Sequence, residues 1–169
     1  AKAFLDAYQA ANPDDEIVVI DLWKKQRPDV DGPTLDATYQ VLHGQDFDAD
    51  QAKAWQRVVE VCDEFKSGDK YLISLPMWNF GIPYKLKQYI DVIAQPGQTF
   101  SFDPASGYSG LVTGKPVAVI YARGGAYGGE ASGMDFRKSD RVLLLGFIGF
   151  TDVTSGVGDP PLAGPDGVG

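Results

Sequence analysis

Two short stretches hold the residue types best suited to grip a reactive ring. Pro76-Met77-Trp78-Asn79-Phe80-Gly81-Ile82-Pro83 gathers two aromatic rings, a thioether and one amide between prolines that limit the backbone's freedom. Aromatic and thioether groups pack on a flat ring such as an isoalloxazine, and an amide pairs with its polar edge. The other reading is a hydrophobic plug folded over a sheet edge. Ala122-Arg123-Gly124-Gly125-Ala126-Tyr127-Gly128-Gly129 sets a cation before adjacent glycines, which lets a ligand approach the backbone and leaves amide hydrogens for carbonyl or anionic groups. A glycine-rich turn with a solvated arginine is the alternative there. The run matches neither a dinucleotide fingerprint nor a phosphate-loop pattern. His43 is the only histidine and Cys62 the only cysteine, so a transition-metal site or a Ser-His-Asp arrangement has little to build on. No side chain is marked out as a catalytic nucleophile or base.

Both stretches must be positioned by strands. Ile17-Val18-Val19-Ile20-Asp21-Leu22 is a short β-branched run expected to form a buried parallel strand. Lys70 to Leu75 and Pro116 to Ala122 are expected to be the next two strands, each leading into one of the loops. Phe150 to Val153 is the candidate final strand. Helical spacing falls within residues 1–11, at Leu35, Tyr39 and Leu42, over Asp48 to Lys66, after Pro83, and from about Asp135 to Gly146. The segments 99–102 and 109–112 look like a hairpin, and residues 155–169 like an extended Gly/Pro-rich tail. Strands alternating with amphipathic helices indicate an α/β sandwich with a parallel sheet. In such sheets ligands bind outside the carboxyl ends of the strands, where both loops fall.

The chain has 169 residues, 44% of them hydrophobic, enough for one core and one domain. A net charge of -8 repels nucleic-acid phosphates and acidic membranes, and no apolar run is long enough to span a bilayer. The expected setting is the cytoplasm. Cys62 shares a helical face with Trp55, Val58, Val59 and Phe65 and is expected to be core packing. The cluster Lys24-Lys25-Gln26-Arg27 is expected to be a solvated loop.

The run Leu75–Gly125 resembles the FMN-dependent NADH-azoreductase and NAD(P)H:quinone oxidoreductase family. The resemblance is carried by Pro76 to Pro83, Leu86-Lys87-Gln88-Tyr89-Ile90-Asp91, Gly97-Gln98-Thr99-Phe100, Gly110 to Lys115 and Arg123-Gly124-Gly125, and extends through Gly146 to Val153. It implies a flavodoxin-like three-layer sandwich, a homodimer with sites at the subunit interface, and non-covalent FMN. By position it implies that Met77, Trp78, Asn79, Phe80, Ala122, Arg123, Gly124, Gly125 and Tyr127 contact the flavin, with Phe102 on the substrate side. Trp78 replaces a commoner tyrosine, and Tyr127 stands where a histidine often does. The implied reaction is ping-pong: NAD(P)H gives a hydride to the flavin and leaves, then a quinone or azo compound takes two electrons, so the cofactor carries the redox chemistry. Relatives begin with a strand and a phosphate-binding loop that precede the helix at residue 1. The expectation is therefore an N-terminally incomplete domain over 1–153, a tail over 154–169, and weakened FMN affinity. Two other functions compete: a flavodoxin-like scaffold or partner-binding domain without tight FMN, and a one-electron carrier.

Overall fold

The computed structural model describes residues 1–122 and 144–158. Helix α1 (Lys2–Ala11) opens the chain and buries no residue. Helix α2 (Gly32–His43) starts where the Asp31 carboxylate accepts from the Thr34 amide, with Pro33 in the first turn, and stops at Gly44 in the left-handed region. Helix α3 (Ala49–Lys66) begins with a reciprocal capping box between Asp48 and Gln51. It buries Val58, Val61, Cys62 and Phe65, one stripe at helical spacing. The Lys115 ammonium donates to the carbonyls of Lys66 and Gly68, satisfying groups at its carboxyl end. Helix α4 (Tyr84–Ile93) follows Pro83 and buries Tyr89, Val92 and Ile93.

Strands β1 (Tyr71–Pro76), β4 (Val117–Ala122) and β5 (Val153–Gly158) form a three-stranded sheet in the order β1-β4-β5. All pairs are parallel, with Tyr71 opposite Val117 and Val117 opposite Val153. Parallel pairing needs crossover connections, and α4 lies in the one between β1 and β4. Val117, Val119 and Tyr121 point from β4 into a core shared with α3, α4, Leu145, Ile148 and Phe150. Strands β2 (Phe100–Asp103) and β3 (Gly107–Gly110) pair antiparallel as the expected hairpin. The hairpin docks on the helical residues 144–148 through Gly110 and Gly149, whose backbones approach too closely for a side chain.

The structure corrects several expectations. Ile17 to Asp21 forms neither helix nor strand, Leu22 already lies in a turn, and Val18 and Val19 are 71% and 75% exposed. Among the described residues no strand pairs with this run: β1 is an edge in the described sheet, and a cleft of about 1610 Å³ is lined by Leu5, Ile17, Val19, Leu72 and Ile73. β-branched residues favour a strand only if another strand accepts their backbone groups. For the same reason β1 is only half covered, with Leu75 its one buried residue. The helix expected from Leu35, Tyr39 and Leu42 is α2, and there these three are exposed, while Thr34 and Ala37 are buried. The final strand begins at Val153, where it was expected to end, so residues 154–158, read as tail, belong to β5. Residues 144–148 are helical, past the expected end at Gly146. Cys62 is fully buried as expected, its thiol 3.7 Å from the carbonyls of Val92 and Ile93, and burial pushes its pKa up to about 12. Among the described residues no helix is long and apolar enough to cross a membrane, and no cluster could hold a metal ion.

Candidate functional site

The parallel register of β1 and β4 brings the starts of the two loops together. Pro76 lies opposite Ala122, and the Met77 amide donates to the Ala122 carbonyl at 2.8 Å. Both loops therefore leave the sheet side by side at its carboxyl end.

The first loop then folds on itself. The Trp78 amide donates to the Gly81 carbonyl at 3.1 Å, and the Gly81 amide to the Trp78 carbonyl at 2.9 Å. Between them Asn79 (φ 47°) and Phe80 (φ 66°) both occupy the left-handed region, the pattern of a type I′ turn. Asparagine adopts that conformation readily; phenylalanine does not. The turn leaves the rings of Trp78 and Phe80 about half exposed, at 45% and 46%. The Asn79 side chain is exposed and makes no hydrogen bond among the described residues. Of the two readings of this loop, an exposed ring pair does not match a buried plug.

Two aromatic residues not singled out in the sequence join the group. The Trp23 ring lies 5.7 Å from that of Trp78, and 5.4 Å, edge to face, from that of Tyr84. A signal for Trp23 was present: it follows the 17–22 run directly, on the side where strands deliver ligand contacts. Tyr84 is the first residue of α4, reached through buried Pro83. Phe102 belongs to a different aromatic group. Its ring packs 4.8 Å from Tyr108 on the hairpin, and Tyr108 in turn lies near Phe100 and Phe147. Arg123, Gly124, Gly125 and Tyr127 lie outside the described residues.

The donor chemistry of the first loop fits the ring portion of a flavin. Exposed aromatic faces and a thioether offer apolar contact, and the unengaged Asn79 amide offers both a donor and an acceptor to a heterocycle edge. The Asn79 and Phe80 amides lie between the two turn hydrogen bonds and take no part in either.

Comparison with known proteins agrees with this chemistry. A family model described as flavodoxin-like fold matches residues 1–161. The FMN-dependent NADH:quinone oxidoreductase of Desulfotalea psychrophila is 50% identical over 156 residues, 92% of this chain and 74% of its own. Its counterpart in Nitratidesulfovibrio vulgaris is 50% identical over 169 residues, 98% of this chain and 80% of its own. Among solved structures, an azoreductase of Bacillus anthracis superposes with a TM-score of 0.83 at 33% identity, over 92% of this chain and 75% of that one. An FMN-dependent NADH-azoreductase of the same species, solved with FMN, superposes with a TM-score of 0.70 at 30% identity, over 82% and 66%. With the sheet order, the two loops and these likenesses together, the chain belongs to the flavodoxin-like family of FMN-dependent NADH:quinone oxidoreductases and azoreductases.

Proposed function

We propose that the chain is an FMN-dependent oxidoreductase that moves two electrons from NAD(P)H to a quinone or azo compound, the two substrates using one ring face in turn. The observation that carries this reading is the turn at Trp78–Gly81, tied to the end of β4 through the Met77–Ala122 hydrogen bond. It sets aromatic faces and a free Asn79 amide where the second loop begins. FMN, when bound, supplies hydride acceptance and two-electron release. The chain's part is positional: Trp78 and Phe80 would pack along the ring and keep water from it, and Asn79 would hold its polar edge. Ala122, Arg123, Gly124, Gly125 and Tyr127 are proposed to complete the ring contacts, with Phe102 meeting the acceptor. No described residue is asked to carry a proton.

A homodimer in the cytoplasm completes the proposal. Its support is the exposed apolar row Leu35, Tyr39 and Leu42 on α2, a contiguous face that a second copy would cover. The test is a flavin titration followed by NADH oxidation with a quinone. One FMN bound per chain and quinone-dependent turnover are expected. Protein that takes up no FMN, and that NADH, FMN and quinone together cannot activate, defeats the reading and leaves a flavodoxin-like scaffold.

A further inference from the structure

A second pocket adjoins the aromatic group at Trp23. Its volume is about 440 Å³, within the range of small-molecule sites, and it is lined by Trp23, Lys24, Lys25, Arg27, Lys85 and Gln88, with Gln26 and Asp29. Four cations around one small cavity stand out in a chain with 15 basic and 23 acidic residues. Two of them are already paired: Lys24 with Asp21 at 3.2 Å, and Lys25 with Glu64. Arg27 and Lys85 pair with no carboxylate among the described residues. Lys85 donates to the Gln88 side-chain carbonyl at 3.1 Å, and the one acid on the wall, Asp29, accepts from the Gln88 amide at 3.2 Å.

Arg27 is the more telling of the pair. Its Nη1 donates to the Lys25 carbonyl at 3.0 Å, and its guanidinium lies over the Tyr89 ring at 4.7 Å. Nε and Nη2 are shut off from solvent without a hydrogen-bond partner. A cation held in this way, with no counter-charge beside it, is unfavourable unless an anion neutralises it. The wall shared with the candidate flavin site is Trp23, whose ring touches Trp78. An anion here would therefore sit one aromatic residue from the reacting ring.

We propose that this pocket binds the phosphate groups of a nucleotide whose ring lies against the Trp78 turn. Lys85 and Lys24 would meet the phosphate oxygens, and the fixed charge of Arg27 would favour a dianion. The pyrophosphate of NADH brings such charge, whereas relatives hold the FMN phosphate in the loop that precedes the helix at residue 1. The proposal rests on the reading of the chain as a flavin- and dinucleotide-dependent protein. Its own content is a place: phosphate at residues 24–27 and 85.

The test is the double variant Lys24→Gln/Lys85→Gln, with Lys85→Arg as the charge-preserving control. Both lysines are at least partly exposed, so the melting temperature should stay close to that of the parent. Each protein is titrated with FMN and with riboflavin, followed by tryptophan fluorescence. The KM is then measured for NADH and for reduced nicotinamide riboside, which donates hydride but has no phosphate. The expected result is roughly tenfold weaker handling of NADH, as for loss of a charge-assisted contact, with its phosphate-free partner unchanged and Lys85→Arg near the parent. A change confined to NADH assigns the pocket to the dinucleotide; one confined to FMN overturns the proposal. Equal weakening of a ligand and its phosphate-free partner, or no change in any of the four, overturns the proposal. If the parent protein itself binds neither flavin nor NADH, the functional reading fails instead.

Discussion

Substituting Gly110 with alanine tests the packing that holds the hairpin on the body of the protein. A Cβ at residue 110 would lie 2.3 Å from the Gly149 nitrogen, 2.4 Å from its Cα and 2.5 Å from the Ile148 carbonyl carbon. Comfortable carbon contacts are about 3.5–4.0 Å, so the two backbones must part by over about 1 Å. Every atom met is main chain, and no rotamer change can absorb the clash. The displacement would stretch the hydrogen bond from the Val112 amide to the Ile148 carbonyl, now 2.8 Å, and loosen buried Val112 and Ile148. Overpacking of this kind costs about 1–3 kcal/mol, which for a domain of this size lowers Tm by roughly 2–12 °C. The assay is thermal unfolding followed by circular dichroism. Gly146→Ala is the matched control: it lies in the same short helix, is exposed, and an added Cβ meets nothing within 4 Å. It should hold or raise Tm, by up to about 1 kcal/mol of stability, because alanine favours helix. The reasoning is refuted if Gly110→Ala melts within about 1 °C of the parent, or if the two variants fall together. Because the hairpin carries Phe102, Gly110→Ala should also alter acceptor KM more than flavin affinity.

Cys62 should resist thiol reagents at pH 8 in the native protein and react once the chain is unfolded, because its thiol is fully buried with a pKa pushed up to about 12; rapid native labelling would contradict this. Asp31→Ala removes the side-chain acceptor at the start of α2 and should cost about 0.5–2 kcal/mol, measured by urea unfolding. Asp15 and Lys70 give a pH signature. The Tyr8 hydroxyl and then Lys70 hold the Asp15 carboxyl below its ordinary 3.8, so its contribution is present above that value and lost as pH falls through the folded pKa. The same contacts, Tyr8 first and then Asp15, raise Lys70 above 10.5, so its contribution is present below 10.5 and lost as pH rises through the folded pKa. Between those limits their share of stability should be flat, and small because all are exposed to salt. Asp15→Asn should therefore approach the parent's stability below pH 3.8 and differ from it at neutral pH, as read by denaturant titration at each pH.

What the sequence revealed and what it concealed divide along a physical line. Signals that depend on one segment alone were legible: the extent of α3 from Asp48 to Lys66, Pro83 ahead of α4, a hairpin within 99–112, and the apolar stripe that buries Cys62. The loop at 76–83 was legible as an aromatic loop at a strand's carboxyl end because its residues directly follow the β1 run. Signals that depend on a neighbour were not. The Ile17–Leu22 run has the composition of a buried strand, yet Val18 and Val19 are exposed, with no strand among the described residues paired to them. On α2, Leu35, Tyr39 and Leu42 mark an apolar face correctly, but their spacing cannot say whether the same chain covers it. The position of Trp23 after the 17–22 run was a local signal, but its contact with Trp78 joins segments far apart in sequence and needed the tertiary structure.

The turn at Asn79 and Phe80 shows how stability and binding pull apart at one position. A type I′ turn favours glycine where Phe80 sits, and a bulky side chain in the left-handed region costs about 1–2 kcal/mol. Nothing about the hairpin bonds between Trp78 and Gly81 requires that residue, since they run through main-chain atoms alone. Phe80→Gly would leave an asparagine-glycine pair that closes the same turn with less strain. The Phe80 ring remains 46% exposed, so burial offsets only part of the conformational cost. What the strained residue achieves is placement: it fixes an aromatic side chain at the sheet's carboxyl end, beside the anchored start of the second loop. Under the proposed function the bound ring would offset that cost, with the turn holding Phe80 in position before the ligand arrives.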